Sequence, residues 1–160
     1  MSSMRQVVTI AFVLLLANAF PPPVSASSDE ERAKQLQKEK ARLEKENDPL
    51  DRVKINIRIS EILLEDVGES VRVGDFDQME RQLNEYATTI QGAHQELVDS
   101  GRDASKRPGG FKELEIALRK HIRKFEDVSR TLTLEHRDPV DKTRDVAIGI
   151  RDKLLKALFP

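Results

Sequence analysis

Apolar residues recur every three or four positions over most of the chain after residue 48. This is the spacing of an amphipathic α-helix. Four such stretches cover residues 49–73, 75–99, 111–132 and 138–160. Because each stretch carries one apolar stripe that must be buried, the pattern predicts four helices around a shared core.

The stretch VKINIRI at residues 53–59 interrupts this pattern, because it alternates apolar and polar residues. Alternation is typical of a strand with one exposed face. However, no other segment alternates in the same way, so a strand here would lack a partner. We therefore predict one helix over Pro49–Val73 that is buried on two sides. One side holds Leu50, Val53, Ile57, Leu64, Val67 and Val71, and the other holds Ile55, Ile59, Ile62 and Leu63.

Three short motifs predict where helices begin. Asp48 precedes Pro49, and Asp138 precedes Pro139. An aspartate can accept hydrogen bonds from the free N–H groups of a first turn, and proline fits that turn because it has no N–H to lose. Asp75 is in the same capping position before the second stretch. We expect Asp138 to cap the last helix, with Pro139 in its first turn.

Residues 29–47 form a highly charged segment, with six acidic and six basic side chains in nineteen positions. Its few apolar residues include Leu36 and Leu43, which are seven apart and in register with Leu50. Two interpretations remain open: a solvated, partly frayed helix or arm, and a helix that binds a partner.

The N-terminal residues have the features of a secretory signal peptide. Arg5 precedes an apolar run over residues 7–19, and Val24 and Ala26 are small residues in the −3 and −1 positions of a cleavage site. Cleavage after Ala26 is predicted, and cleavage after Ala19 is the alternative. An uncleaved membrane anchor is the competing interpretation, but the run is short for a bilayer about 30 Å thick.

The predicted fold is therefore all-α: an up-down-up-down four-helix bundle at residues 48–160, preceded by a highly charged N-terminal helix or arm at residues 27–47 and a signal peptide at residues 1–26. The second apolar side of the first bundle helix needs a cover, which the arm, a second protomer or a partner can supply. DPLDRV and DPVDKT resemble one another about ninety residues apart. Duplication of a helical hairpin and independent capping needs both explain this similarity.

The residue types needed for catalysis are missing or isolated. The chain has no cysteine, no glycine-rich phosphate loop and no serine placed with a histidine and an acid in a known motif. His121 lies in an apolar stripe, His94 at the edge of another, and His136 in the connection before the last helix. Their spacing fits no common metal motif. We predict no enzyme activity, no metal site and no cofactor, and we expect His121 to be a hydrogen-bonded core residue.

The charge of the chain argues against nucleic acid as a ligand. The chain has 27 basic and 28 acidic residues, and loss of Arg5 with the signal peptide leaves a net charge of −2. One local excess remains: Arg119, Lys120, Arg123 and Lys124, here called the basic cluster. It can face an acidic partner, lipid headgroups or an anionic polymer. The alternative is a solvated face with mixed ion pairs, since Glu115 precedes Arg119 by four residues and Glu126 precedes Arg130 by four.

Together these features predict a secreted or periplasmic, non-catalytic interaction or scaffold protein that binds another protein and can assemble with copies of itself. No transmembrane segment is expected after signal cleavage. The expected interaction surface comprises Leu36, Leu43, Arg119, Lys120, Arg123 and Lys124. Two alternatives remain: a helical module that binds a metal, small ligand or lipid near His121 and His94, and an envelope chaperone that holds other chains.

Overall fold

The computed structural model describes residues 24–160, which form five α-helices and no strand. The prediction of an all-helical fold is confirmed, and VKINIRI lies within a helix. The signal peptide prediction falls mainly on residues 1–23, which lie outside the described residues. The helices are α1 (Val24–Lys45), α2 (Pro49–Val73), α3 (Phe76–Asp99), α4 (Phe111–Thr131) and α5 (Leu134–Leu158).

The first two capping predictions are confirmed. The Asp48 side chain accepts hydrogen bonds from the backbone N–H groups of Leu50 and Asp51, with Pro49 as the first residue of α2. The Asp75 side chain accepts one from the backbone N–H of Gln78 at the start of α3. These local contacts set the helix boundaries because they satisfy donors that have no partner within the helix.

The predicted start of the last helix is wrong. α5 begins at Leu134, so Asp138 and Pro139 lie inside it, and Asp138 pairs with Lys142 at 2.7 Å instead of capping. A contact with a distant segment lies at this earlier turn. His136 stacks on Phe76 with ring centroids 3.7 Å apart. Since this contact joins distant segments, the local motif did not reveal it.

The helices α2 and α3 form one antiparallel hairpin, and α4 and α5 form another. The hairpins stack with α2 beside α4 and α3 beside α5. Gly110, just before α4, has a φ of 83°, and a Cβ atom there would lie under 3.0 Å from the side chains of Leu97 and Leu50. The start of α4 thus meets the end of α3 and the start of α2, so α2 and α4 run in the same direction.

The charged segment forms most of α1, which packs along α2. Leu36 and Leu43 are half-buried against the core. Arg52 of α2 donates hydrogen bonds to the backbone carbonyls of Leu43 and Glu46, at 2.8 and 3.0 Å. The second apolar side of α2 is therefore covered by α1, which is the first of the three covers considered above.

Candidate functional site

The basic cluster lies on the exposed surface of α4, and all four of its side chains are accessible. Arg119 donates to Glu115 at 3.2 Å. Lys120, Arg123 and Lys124 make no ion pair with any other residue of the described range 24–160. The expectation of a face with paired charges therefore holds for Arg119 alone.

The pairing of Glu126 with Arg130 is not observed, because Arg130 pairs with Asp127 at 3.2 Å. Neither of these carboxylates approaches the basic cluster within ion-pair distance. The remaining cations lie close together on neighbouring turns of one helix, so their fields add near the surface.

Glu115 is the best-buried carboxylate near the basic cluster, with 7% of its surface exposed. It accepts hydrogen bonds from Arg119 on one oxygen and from Arg151 of α5 on the other, at 3.2 and 2.9 Å. Two guanidinium groups therefore bind one carboxylate, and the bond from Arg151 joins α5 to α4. The contribution of Arg151 was missed in the sequence because the two residues are 36 positions apart.

A cleft of about 280 Å³ separates the basic cluster from α2. Lys120 and Lys124 line one side, and Glu61 and Glu65 of α2 line the other. No ion pair within 4.0 Å crosses the cleft among the described residues. The two rows of opposite charge still attract one another, since α2 and α4 run parallel and place them at matching heights.

His121 forms the floor of this cleft and is confirmed as a hydrogen-bonded core residue. Its Nδ1 lies 2.9 Å from the hydroxyl oxygen of Tyr86, which is fully buried. Since the Tyr86 hydroxyl has no other acceptor among the described residues, it donates to Nδ1, which places the His121 proton on Nε2. That Nε2 atom is buried with no hydrogen-bond partner.

Burial controls the ionisation of this pair. Desolvation lowers the pKa of His121 from 6.5 to about 4, with further lowering by Lys124 and Lys120. Desolvation also raises the pKa of Tyr86 above its usual value of 10. Both rings are therefore uncharged near neutral pH.

The other two histidines lie apart from His121. His94 on α3 is half-buried, and desolvation together with the nearby Lys153 of α5 lowers its pKa. His136 stacks on Phe76 near the opposite end of α3. Across residues 24–160, no three histidine, aspartate or glutamate side chains form a group that could hold a metal ion.

Leu36 and Leu43, expected at the interaction surface, are half-buried against the core. Part of their apolar surface packs against the core where α1 contacts α2. In this arrangement they offer a partner less surface than the exposed basic cluster.

A second groove, here called the α4–α5 groove, lies on the other side of α4 and has a volume of about 400 Å³. It combines the connection before α4 with the first half of α4 and the last turn of α5. Sequence reasoning missed it because three separate segments build it. Its lining includes Ala104, Pro108, Lys112, Ile116, Arg119, Leu155, Leu158 and Phe159.

No protein-family model matches the chain, and no curated protein or solved structure shows significant similarity to it. None of the helices at residues 24–160 is long and apolar enough to cross a membrane. By its architecture the chain is an all-helical protein with a largely unpaired basic surface on α4.

Proposed function

We propose that the protein is an exported, non-catalytic interaction protein that binds an acidic protein partner through the basic cluster of α4. In this proposal α2–α5 form an up-down-up-down four-helix bundle, and α1 is its charged N-terminal helix. The single observation that carries the proposal is that Lys120, Arg123 and Lys124 are exposed and lack ion pairs within the described residues.

The charge balance supports an acidic partner. The chain has a net charge of −1, so a group of unpaired cations on one helix is a local excess and not a general property of the surface. Complementary charge accelerates association and selects partners of opposite sign. An acidic protein surface would supply ion-pair partners for Lys120, Arg123 and Lys124.

The core histidine supports a binding role over acid–base catalysis. His121 is 4% exposed and Tyr86 is fully buried, so a substrate cannot reach their hydrogen bond without rearrangement of the core. A pKa of about 4 for His121 also lies well below the pH at which a histidine transfers protons efficiently.

Photo-crosslinking tests the partner proposal. A photoreactive amino acid replaces Asp127, which is exposed on α4 close to the basic cluster. Crosslinking in intact cells, followed by mass spectrometry, is expected to capture an acidic protein. The triple variant Lys120→Gln/Arg123→Gln/Lys124→Gln should capture much less of it.

The matched control is Lys38→Gln/Lys45→Gln/Lys156→Gln, which removes the same charge from exposed positions on α1 and α5. It should capture as much partner as the unmodified chain. Equal loss in both variants, or capture of only a second copy of this chain, would contradict the proposal.

Export is tested separately by intact mass spectrometry of the protein recovered from its native cell. The proposal expects a mature chain that begins at Ser27, or at Phe20 if cleavage follows Ala19. Cleavage after Ala26 would remove the first three residues of α1. Recovery of the intact chain from the cell interior would contradict export.

A further inference from the structure

The α4–α5 groove has an apolar wall built from three parts of the chain. Pro108 of the connection before α4, Ile116 of α4, and Leu155 and Leu158 of α5 contribute apolar side chains to its lining. Phe159, at the rim, is 76% exposed. An exposed phenyl ring beside an apolar wall leaves surface whose removal from water is favourable.

The rim of the same groove is positively charged. Lys112 and Arg119 lie two turns apart on the face of α4 that also carries Ile116. Glu115 is the acidic residue of the lining, and Arg119 and Arg151 already bind its two oxygens. The groove therefore has an excess of positive charge.

The N-terminus of α4 adds to this field. Gly110 precedes the helix, no side chain caps this end, and the backbone N–H of Lys112 donates to the carbonyl of Pro108 at 2.9 Å. Such an end carries a partial positive charge that favours a nearby anion. An ammonium group would meet no free carboxylate in the lining, so the groove discriminates against cationic ligands.

The size of the groove limits its occupant. A volume of about 400 Å³ lies within the range of small-ligand pockets, about 300–1,000 Å³. We infer that the α4–α5 groove binds a single-chain amphiphile with an anionic head group, such as a fatty-acid carboxylate. The alkyl chain of the ligand lies along Ile116, Leu155 and Leu158, and its carboxylate lies at Lys112. This inference is independent of the acidic protein partner.

Isothermal titration calorimetry of the mature chain with sodium dodecanoate, kept below its micelle concentration, tests the inference. Saturable binding at one site is expected. Dodecyltrimethylammonium, which has the same chain length and the opposite charge, should bind at least about tenfold more weakly, because the charged rim repels it.

Two surface variants locate the site. Lys112→Glu should weaken dodecanoate binding by at least about fivefold, as expected for loss and reversal of one exposed charge contact. Phe159→Ser should weaken it by about threefold, because the variant removes apolar contact. Both residues are exposed, so the fold should be retained, which circular dichroism checks.

The controls change comparable residues outside the groove. Lys106→Glu alters an exposed charge in the same connection, and Leu134→Ser alters an apolar residue that is 83% exposed on another part of the surface. Each should change affinity by less than about twofold. No saturable binding, equal affinity for both head groups, or equal loss in the controls would overturn the inference. Binding to anionic phospholipid vesicles without binding to monomeric dodecanoate would also overturn it.

Discussion

The hydroxyl oxygen of Tyr86 of α3 and Nδ1 of His121 of α4 are hydrogen-bonded inside the core, 2.9 Å apart. Tyr86 also meets Phe125 edge to face, with ring centroids 5.0 Å apart. The hydrogen bond between Tyr86 and His121 joins two helices from different hairpins. Because it is buried, its loss should cost more than the loss of a similar contact on the surface.

Tyr86→Phe should lower the free energy of unfolding by about 1–3 kcal/mol, because Nδ1 of His121 is left buried without a partner. Urea unfolding followed by circular dichroism measures this change. Thr88→Ala, on the exposed side of the same helix, should change stability by less than about 0.5 kcal/mol. The double variant Tyr86→Phe/His121→Leu should be more stable than the sum of the single effects predicts, and simple additivity would contradict the pairing.

The stability of the protein should depend on pH through His121. Its pKa is about 4 in the folded protein and 6.5 in the unfolded chain. The unfolded chain therefore binds a proton first as the pH falls. The contribution of neutral His121 is fully present above pH 6.5 and is lost between pH 6.5 and 4, at most about 3 kcal/mol.

Unfolding measurements across this pH range should compare the unmodified chain with His121→Leu, because many carboxylates also titrate there. As the pH falls, the unmodified chain should lose stability relative to His121→Leu, because only the unmodified chain carries this histidine. A difference that stays constant from pH 7 to 4 would show that His121 does not contribute. The groups that surround His121 are Tyr86 of α3, Glu61 and Glu65 of α2, and Lys120 and Lys124 of α4.

Glu115 should be important for the contact between α4 and α5. Glu115→Gln is expected to lower the free energy of unfolding by about 1–3 kcal/mol, because Arg119 and Arg151 lose their shared counter-charge. Glu113→Gln, two residues away and exposed, is the matched control and should change it by less than about 0.5 kcal/mol. Equal effects of the two substitutions would rule out the bridging role.

The packing of α1 should depend on its two leucines. Leu36→Ala and Leu43→Ala should each lower the free energy of unfolding by about 1–2 kcal/mol, less than for a fully buried leucine, because both are half-buried. Leu134→Ala, at a position that is 83% exposed, is the control.

Deletion of residues 27–47 should leave α2–α5 helical, since their contacts with one another remain. Hydrogen exchange would show increased exposure on the side of α2 that α1 covers. Collapse of all helical signal on this deletion would mean that α1 is needed for folding. Under the binding proposal, partner capture through α4 should persist.

Pro139 should destabilise α5, because it is the sixth residue of the helix and has no N–H to donate to the carbonyl of Glu135. Pro139→Ala is expected to raise the free energy of unfolding by about 1–3 kcal/mol. Pro49→Ala, at the first position of α2, is the comparison and should bring no gain, because no helical hydrogen bond is missing there. An unchanged or lower stability in Pro139→Ala would contradict this account.

The sequence by itself determined the helical fold, the two-sided burial of α2 and two of the helix starts. The signals for these features are local in the sequence: the apolar spacing along one helix, and the side chains of Asp48 and Asp75, which accept hydrogen bonds from the backbone of the following turn. Because these signals are visible in the sequence, apolar periodicity and capping residues reveal the helices and their starts.

Only the tertiary structure decided which residues meet between helices. Tyr86 and His121 are 35 positions apart, and Glu115 and Arg151 are 36 apart. At the early start of α5, His136 stacks on Phe76 of α3, and α1 packs along α2. These pairings depend on how the two hairpins stack, and helical periodicity does not show which helices become neighbours.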